Sequence, residues 1–395
     1  MREGWEIKAM GDVGTFQRGG GFLKSDFVES GFPCIHYGQI HMKLGVTTYS
    51  HLTCIPPSVA AKSKIASSGD VIIAITSEDV AGSCKSTAWM GGYDVAIGAH
   101  AAIYKHNLNP QFVSYYIQSC YFQKEKEQYT HGFKVVEIKP SDIAKIPIRF
   151  PSLPEQQRIV DILDREFAKI DALKSNAEKS LQAAKDLFQA TLKKELEPRE
   201  GWRSHKLNEI YDVRDGTHDS PQYHLSGYPL ATSKNLRNGI VDLSNVKLIS
   251  KQDYDKINER SKVDVGDVLF AMIGTIGNPC LVETEPNYAI KNMALFKVPK
   301  NQSGKLLKYI LSTDDVLNEM RGQSKGANQP FVSLGYLRNY IITIPNSFDE
   351  QVRLVVKLDD LNDKCNALQE NYQKTLSLCD DLKQALLRKA FNGEL

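Results

Sequence analysis

Residues 152–196 read SLPEQQRIVDILDREFAKIDALKSNAEKSLQAAKDLFQATLKKEL, and this stretch decides the fold. Mainly apolar residues recur in it at alternating steps of three and four, the spacing with which a helix buries one long seam against another helix. Ser152 and Glu155 predict a capping box at its start, with Pro154 in the first turn. At 1.5 Å per residue the predicted helix is about 65 Å long, which is too long for a globular core.

The same pattern returns 195 residues later in the chain. EQVRLV at 350–355 matches EQQRIV at 155–160, Ser347 and Glu350 repeat the capping box, and Gly393 supplies a C-terminal stop. One such helix is equally typical of an oligomerisation stalk, whereas two in register within one chain favour pairing with each other. The predicted seam of this pair consists of Leu163, Ile170, Leu173, Ala177, Ala184, Leu187, Leu358, Leu361, Cys365, Leu368, Tyr372, Cys379, Leu382 and Leu386.

Length and composition favour a globular protein around these helices. A chain of 395 residues is long enough for two or three domains, and its 42% hydrophobic content suffices for their cores. The seven cysteines are odd in number and form no CxxC pair, which predicts a reducing cytoplasm and neither a disulfide framework nor a zinc site. No apolar run approaches 18 residues, so we expect no membrane span, and the N-terminal residues predict no signal peptide.

The net charge of +2 is unevenly distributed along the chain. Residues 1–150 and 199–345 carry +2 and +3, whereas residues 151–198 and 346–395 carry −1 and −2. The globular segments are therefore mildly basic and the helical segments mildly acidic. This balance permits nucleic acid on the globular segments without requiring it.

The first globular segment alternates strand-like runs with Gly and Pro turns. A Gly-Asp turn at 69–70 feeds the β-branched run at 71–75, and VAIGAHAAIY at 95–104 predicts a further strand. A helical stretch follows at 110–128, and residues 139–148 predict a short turn leading into a last strand. Helices and strands mixed in this way indicate an α+β domain.

The second globular segment repeats the anchor residues of the first at offsets of 193–197. Gly-Trp at 4–5 returns at 201–202, and Gly-Asp-Val at 69–71 returns at 266–268. We therefore predict a tandem duplication whose paired helices create an internal pseudo-twofold. The predicted segments are an α+β domain at 1–150, a long helix at 151–198, an α+β domain at 199–345 and a long helix at 346–395.

The order domain, helix, domain, helix resembles the specificity subunit of type I restriction-modification systems. PSLPEQQRIVDILD at 151–164 and LKQALLRKAFNGEL at 382–395 carry this resemblance, which covers essentially the whole chain. The resemblance implies that each globular domain is a target-recognition domain reading one half of a split, asymmetric DNA sequence. It also implies that the two helices run antiparallel as a coiled coil and act as a ruler for the spacing between the half-sites.

Partners follow from the same resemblance. It implies that the domains bind double-stranded DNA and the helices dock two methyltransferase subunits, with two restriction subunits joining in a restriction-competent assembly. The chain itself is expected to be cytoplasmic, non-catalytic and free of cofactors, because S-adenosylmethionine, ATP and magnesium belong to the partner subunits. A methylation-only or type IIB-like assembly would use much the same subunit, so that alternative stays open.

The candidate DNA-binding residues are chosen by type and by place on loops. Arg suits guanine, Asn and Gln suit adenine, and Lys, Ser and Thr suit phosphate. The candidates in the first domain are Arg18, Lys24, Gln39, His41, Ser77 and Lys134. The matching loops of the second domain hold Arg214, His218, Lys234, Asn235, Arg237, Thr275, Asn328 and Gln329. Taken singly, each is as typical of loop surface as of a DNA contact, but as sets on matching loops they favour DNA.

Catalytic motifs fit the chain poorly. An adenine methyltransferase needs [DN]-P-P-[YF], and the nearest text is Asn-Pro-Cys at 278–280. The phosphate-loop spacing G-x-x-x-x-G-K-[ST] is absent, and Glu-Ile-Lys at 137–139 matches a nuclease pattern too short to be specific. We therefore expect no catalytic set and no metal site. The rival hypothesis from another class is a structural coiled-coil adaptor whose domains bind proteins.

Overall fold

The computed structural model describes residues 3–132, 135–326 and 330–395. The chain divides into two compact units, the first formed by Met1–Glu178 with Lys374–Leu395 and the second by Lys179–Gln373. Each unit contains one domain of mixed helices and strands together with part of each long helix. The predicted fold class is confirmed.

Two small sheets form the domain of the first unit. The five-stranded sheet has the order Gly14–Arg18, Ala101–His106, Val71–Ala74, Ser86–Trp89 and Thr47–Thr48. The four-stranded sheet has the order Thr53–Ile55, Phe32–Ile35, Val95–Ile97 and Lys64–Ala66. Two strand pairs complete the domain, Glu6–Ala9 with Pro147–Phe150 and Thr76–Ser77 with Val136–Glu137. The strand Val71–Ala74 is buried at every position, as its apolar sequence predicts.

The run at 95–104 forms two strands rather than the single strand that we predicted. Val95–Ile97 lies in the four-stranded sheet, and Ala101–His106 lies in the five-stranded sheet. Between them the backbone N–H of Ala101 donates to the carbonyl of Gly98 at 3.0 Å, which closes a turn. The prediction was wrong here because the interruption by Gly98 and His100 was taken as part of one strand, and the apolar runs on either side have no period that would reveal a corner.

Short helices cover the sheets of the first unit. They span Met10–Val13, Tyr37–Met42, Pro57–Ala60, Pro110–Gln118, Cys120–Lys126 and Pro140–Ile143, with 3-10 turns at Lys24–Asp26 and Glu127–Tyr129. The predicted helical stretch at 110–128 is therefore broken at Ser119, whose backbone is extended. Its first helix begins where Asn109 Oδ1 accepts the N–H of Phe112 at 3.1 Å, with Pro110 in the first turn.

The domain of the second unit has the same plan. Its four-stranded sheet has the order Asp212–Asp215, Met293–Lys297, Val268–Ala271 and Gly277–Leu281, and its three-stranded sheet has the order Lys247–Ile249, Tyr228–Thr232 and Ala289–Lys291. The strand pairs are Trp202–Lys206 with Ile341–Pro345 and Leu236–Arg237 with Ile240–Val241. The helices span Leu207–Ile210, Lys251–Ser261, Gly304–Leu311, Asp314–Gly322 and Leu334–Asn339, with a 3-10 turn at Ser233–Asn235.

The repeated anchors occupy equivalent places in the two units. Gly69 and Gly266 have φ angles of +94° and +93°, a left-handed conformation that glycine adopts without steric strain. Each glycine leads into a strand that is buried at every position, Val71–Ala74 in one unit and Val268–Ala271 in the other. The tandem duplication predicted from the sequence is therefore confirmed in the fold.

The two long helices span Leu153–Glu195 and Phe348–Asn392. Within each unit they run antiparallel, because residues early in one helix pair with residues late in the other. The ion pairs that join them within a unit are Asp171–Lys383, Lys174–Asp380 and Glu195–Lys357. The antiparallel direction that the family resemblance implied is therefore present in each unit.

The buried seam of these helices differs from the predicted one at four leucines. The structure buries Leu163, Ile170, Ala177, Ala184, Leu358, Cys365 and Cys379, and it half-buries Leu361, Tyr372 and Leu386. Leu173, Leu187, Leu368 and Leu382, which we call the outer leucines, are instead 41–55% exposed. The buried stripe turns away from them because each helix also packs on a domain. Phe167, for example, meets Tyr115 edge to face with 5.2 Å between ring centroids.

The C-terminal end of the chain is anchored in the first unit. Gly393 ends the second long helix with a φ of +74°, which confirms the predicted stop. Just before it, the side chain of Phe391 is 1% exposed and meets Phe112 and Tyr116 edge to face, at 5.2 and 5.0 Å between centroids. The terminal motif of the sequence therefore contributes to the core of the first domain.

The described part of the chain has neither a membrane-spanning helix nor a metal-binding cluster, and its cysteines are unpaired. No helix among residues 3–132, 135–326 and 330–395 is both long and apolar enough to cross a bilayer. Within those same ranges, no group of three or more His, Cys, Asp or Glu side chains could hold a metal ion. All seven cysteines are free thiols.

Candidate nucleic-acid interface

Arg18 ends an edge strand of the five-stranded sheet and contacts the strand pair beside it. Its Nε donates to the carbonyl of Ala99 at 3.0 Å, and its Nη2 lies 2.9 Å from the carboxylate of Glu137. Glu137 belongs to the strand that pairs with Thr76–Ser77. The predicted candidates Arg18 and Ser77 therefore lie on neighbouring elements of one surface.

His41 joins this surface from the helix Tyr37–Met42. Its Nε2 lies 2.9 Å from the carbonyl oxygen of Thr76, and its own carbonyl accepts a hydrogen bond from Lys85 Nζ at 3.2 Å. His100 reaches the same strand, with Nδ1 3.1 Å from Thr76 Oγ1. We call the set Arg18, His41, Ser77, Lys85 and His100 the first patch.

A buried lysine supports the loop that leads from Ser77 to Lys85 of the first patch. Lys126 is 1% exposed, and its Nζ donates to the carbonyls of Ser83 and Ala81 at 2.6 and 3.3 Å. Burial lowers the pKa of Lys126, and burial raises the pKa of the neighbouring Cys84 to about 12, so that thiol stays protonated. No sequence pattern predicts this support, because the bond to Ser83 joins residues 43 positions apart.

The other candidates of the first domain occupy different places. Gln39 uses its amide within the fold, since Oε1 accepts the N–H of His36 at 3.0 Å and Nε2 donates to Thr53 Oγ1 at 2.8 Å. Lys24 is exposed on its 3-10 turn. Burial first, and then the charge of Lys24, lower the pKa of His36, which favours a neutral imidazole at pH 7. Lys134 lies outside the described residues.

In the second domain, His218 is held between an acid and an amide. Its Nε2 lies 2.7 Å from Asp215 Oδ2, and its Nδ1 lies 2.8 Å from Asn292 Oδ1. Asp215 is 6% exposed and also accepts a hydrogen bond from Arg260. Asn292 has a φ of +54°, a left-handed conformation that Asn adopts more readily than most residues. The imidazole is therefore oriented from both sides.

Lys234 and Thr275 reach the same place from two other loops. Both line a cavity of about 350 Å³ together with Asn292. Ser233 Oγ donates to the carbonyl of Asn292 at 2.9 Å, which joins the Lys234 turn to the His218 loop. We call the set His218, Lys234, Thr275 and Asn292 the second patch.

The remaining candidates of the second domain have other surroundings. Arg214 binds the carboxylate of Asp212 through Nε and Nη2, at 2.8 and 2.5 Å. Asn235 is 8% exposed, and its amide bonds backbone groups of its own turn and of the following loop. Arg237 is exposed, with Nε donating to the Lys234 carbonyl at 2.9 Å. Asn328 and Gln329 lie outside the described residues.

A family model described as the type I restriction modification DNA specificity domain matches this chain twice, at residues 2–183 and 199–378. The chain belongs to this family. One curated relative is the specificity subunit of the type I restriction enzyme EcoKI from Escherichia coli strain K12. The two sequences are 23% identical over an alignment of 430 residues, which covers 100% of this chain and 90% of the relative. The specificity subunit of StySPI from Salmonella potsdam is 23% identical over 428 residues, with the same shares covered. The resemblance seen in the sequence is therefore confirmed.

Solved structures share the fold of this specificity-family chain. One of them concerns the complex assembly and conformational transition of the type I R-M system. It has a TM-score of 0.78 at 18% identity, and the match covers 100% of this chain and 99% of the other chain. The HsdS subunit from Thermoanaerobacter tengcongensis has a TM-score of 0.55 at 18% identity, with 100% and 98% covered. At such identities the likeness shows the fold alone.

Sequence reasoning missed several residues of the two patches. Lys85 and His100 belong to the first patch and Asn292 to the second, and none of them was a candidate. A usable signal existed for Asn292, because Ala-Ile at 289–290 repeats Ala-Ile at 96–97 and Asn292 lies in the turn that follows this strand. His100 lies in the corresponding turn of the first domain, three residues after Ala-Ile at 96–97.

Proposed function

We propose that this chain recognises a bipartite, asymmetric DNA target and positions methyltransferase subunits on it, with restriction subunits joining in a restriction-competent assembly. The observation that carries this proposal is the pair of patches on equivalent loops of one repeated fold. Arg18, His41 and Ser77 stand in one patch, whereas His218 and Lys234 stand in the other. Different donors and acceptors on the same backbone frame would read different bases, which fits two unlike half-sites.

The roles within the patches follow from what each side chain already bonds. Arg18 pairs with Glu137 at a surface where an ion pair contributes little, so its guanidinium is free to exchange onto a guanine. Lys24, Lys234 and Arg237 are exposed cations suited to phosphate. We assign Gln39, Arg214 and Asn235 to shaping the loops, since their polar atoms are bonded within the fold.

The chain is proposed to act without chemistry of its own, in the cytoplasm. S-adenosylmethionine, ATP and magnesium would then be held by the methyltransferase and restriction subunits. Membership of the specificity family supports this division of labour. A methylation-only or type IIB-like assembly would place the same demands on this chain.

The decisive experiment is single-molecule sequencing of genomic DNA from the source cell with and without the gene. We expect adenine methylation at one split, asymmetric motif to disappear when the gene is deleted. Purification with the cognate methyltransferase subunits and methylation in vitro completes the test. A complex that forms but methylates no split motif would contradict the proposal, and salt-independent association with a protein would favour the coiled-coil adaptor.

Neutralising Lys234 and Arg237 together to glutamine is expected to weaken DNA binding by the assembled complex. Each cation that contacts phosphate releases about one counterion, so the slope of log affinity against log salt should fall by about 2. Affinity measured across a salt series, on target and non-target DNA, checks this result. The matched control is Lys251→Gln with Lys300→Gln, two exposed lysines outside the second patch. An unchanged slope in the first variant would remove this turn from the interface.

The outer leucines are proposed to dock the methyltransferase subunits. The antiparallel register puts Leu173 within a turn of Leu382 in the first unit, and Leu187 within a turn of Leu368 in the second. Leu173 corresponds to Leu368 under the 195-residue repeat, and Leu187 corresponds to Leu382. Each unit therefore offers the same exposed apolar pair. Two equivalent surfaces fit two copies of one partner.

Replacing Leu173 and Leu382 by glutamate is expected to remove one methyltransferase subunit from the complex. A charge in the buried centre of an interface lacks a partner and is strongly unfavourable there. Native mass spectrometry of the co-expressed complex measures the stoichiometry. Val356→Glu serves as the control, since this residue is 64% exposed on the same second long helix but belongs to the second unit and faces about 120° away from Leu368, the outer leucine of that unit on this helix. Full stoichiometry in the double variant would contradict docking at these leucines.

A further inference from the structure

Each long helix begins with a buried glutamine that ties it to the preceding domain. Gln156 is 1% exposed, its Nε2 donates to the carbonyl of Pro151 at 2.8 Å, and its Oε1 accepts the N–H of Asn109 at 2.8 Å. Pro151 follows the last strand of the domain, and Asn109 caps the helix Pro110–Gln118. One amide therefore joins the long helix to both a strand and a helix of its domain.

The second unit repeats this arrangement at equivalent residues. Gln351 is 1% exposed, Nε2 donates to the carbonyl of Pro345 at 3.0 Å, and Oε1 accepts the N–H of Ser303 at 3.0 Å. Pro345 ends the last strand, and Ser303 caps the helix Gly304–Leu311. The recurrence across the duplication indicates that this junction is not an accident of local packing.

A second bond braces each junction eight residues further along the long helix. The hydroxyl of Tyr115 donates to Asp164 Oδ1 at 2.6 Å, and the hydroxyl of Tyr309 donates to Asp359 Oδ1 at 2.7 Å. Burial, followed by these bonds to carboxylates, raises the pKa of both tyrosines, so the hydroxyls stay protonated donors. Eight residues of helix span about 12 Å, so polar bonds hold each helix to its domain at two separated points, in addition to apolar packing such as that of Phe167 on Tyr115.

Directional bonds at two points restrict the tilt of the helix on its domain more tightly than apolar packing with one such bond. A tilt of about 10° moves a point about 20 Å from a pivot by about 3.5 Å, close to the rise of one base pair. On the basis of the proposed function, we infer that Gln156 with Tyr115–Asp164, and Gln351 with Tyr309–Asp359, are positioning residues. They fix the orientation of each recognition domain on its helix and thereby set how strictly the spacer length is read.

The test uses the complete methyltransferase assembly and its own split target with the spacer unchanged, lengthened by one base pair or shortened by one base pair. The variant Gln156→Met with Gln351→Met keeps the side-chain size but leaves buried backbone groups without partners. We expect the preference for the native spacer over the altered ones to fall by about tenfold. Discrimination between correct and incorrect bases within each half-site should stay the same, because the patches are untouched.

A milder variant covers the case in which the first does not fold. Tyr115→Phe with Tyr309→Phe removes only the two hydroxyls, and a smaller loss of spacer preference is expected. The matched controls are Gln182→Met, an exposed glutamine in mid-helix, and Tyr93→Phe, whose hydroxyl bonds His51 instead of a long helix. If folded variants keep the wild-type spacer preference, or lose base discrimination equally, the inference fails. If the wild-type assembly methylates no split target, the proposed function fails instead.

Discussion

Deletion of one heptad from each long helix is expected to abolish methylation of the native target. Extending the register of the first unit's ion pairs matches residues 176–182 with 372–378, and removing both heptads is designed to keep the buried positions of each helix in step. Seven residues of helix correspond to about 10 Å, or about three base pairs of DNA. If the helices act as a ruler, the two half-sites of the native target can no longer be bound together.

Rotation makes this loss more severe than the change in length alone. Removing a heptad turns one end of a helix relative to the other by about 20°. A DNA spacer that is shorter by about three base pairs turns one half-site relative to the other by about 100°, since a DNA turn holds about 10 base pairs. Any residual methylation should therefore fall on a spacer about three base pairs shorter, and it should be weak.

A library of targets with graded spacer lengths measures this outcome directly. The control replaces exposed residues in the same two heptads while keeping Ala177 and Tyr372, so that length and seam are unchanged. That control should retain the native spacer. An unaltered preferred spacer after the double deletion would refute the ruler.

Phe391→Ala is expected to cause the largest loss of stability of any single substitution in the second long helix. The ring is 1% exposed and packs edge to face on Phe112 and Tyr116. Truncating a buried Phe leaves a cavity and typically lowers the free energy of unfolding by about 3–5 kcal/mol. The loss should appear in the first unit, because all three rings belong to it.

Urea unfolding combined with hydrogen exchange in the helix Pro110–Gln118 measures this loss and its location. Exchange is needed because two units can unfold in separate transitions, for which a single free energy is not defined. Leu382→Ala is the matched control, since this leucine lies on the same helix but is 49% exposed, and it should lower stability by less than about 1 kcal/mol. A loss below about 1 kcal/mol for Phe391→Ala would contradict the anchoring role of the C-terminal motif.

Periodicity and repetition predicted most of the fold because they act over the whole length of the chain. The stepping of apolar residues identified both long helices, and the offset of 195 identified the duplication. The seam was wrong at the four outer leucines because periodicity reports an apolar stripe without saying which neighbour covers it. Phe167 packs on Tyr115 of the domain, and that contact rotates the buried stripe.

Residue type and loop position predicted the candidate interface only in part. They located Arg18, His41 and His218, which the structure places in the two patches. They could not reveal that the amide of Asn235 is buried in its own turn, because that depends on backbone geometry. They also missed Lys126, whose contacts are distant in sequence.

The second long helix carries one buried thiol in each unit, and each thiol can serve as a chemical probe of local opening in its own unit. Cys379 lies in the first unit and Cys365 in the second, and they are 0% and 3% exposed. Burial also raises the pKa of Cys365, which keeps its reactive thiolate scarce. An alkylating reagent therefore reaches either sulfur only after the helices part locally. The modification rate at each cysteine therefore reports how often the helices open locally in that unit. A partner bound to one unit should lower the rate at the cysteine of that unit.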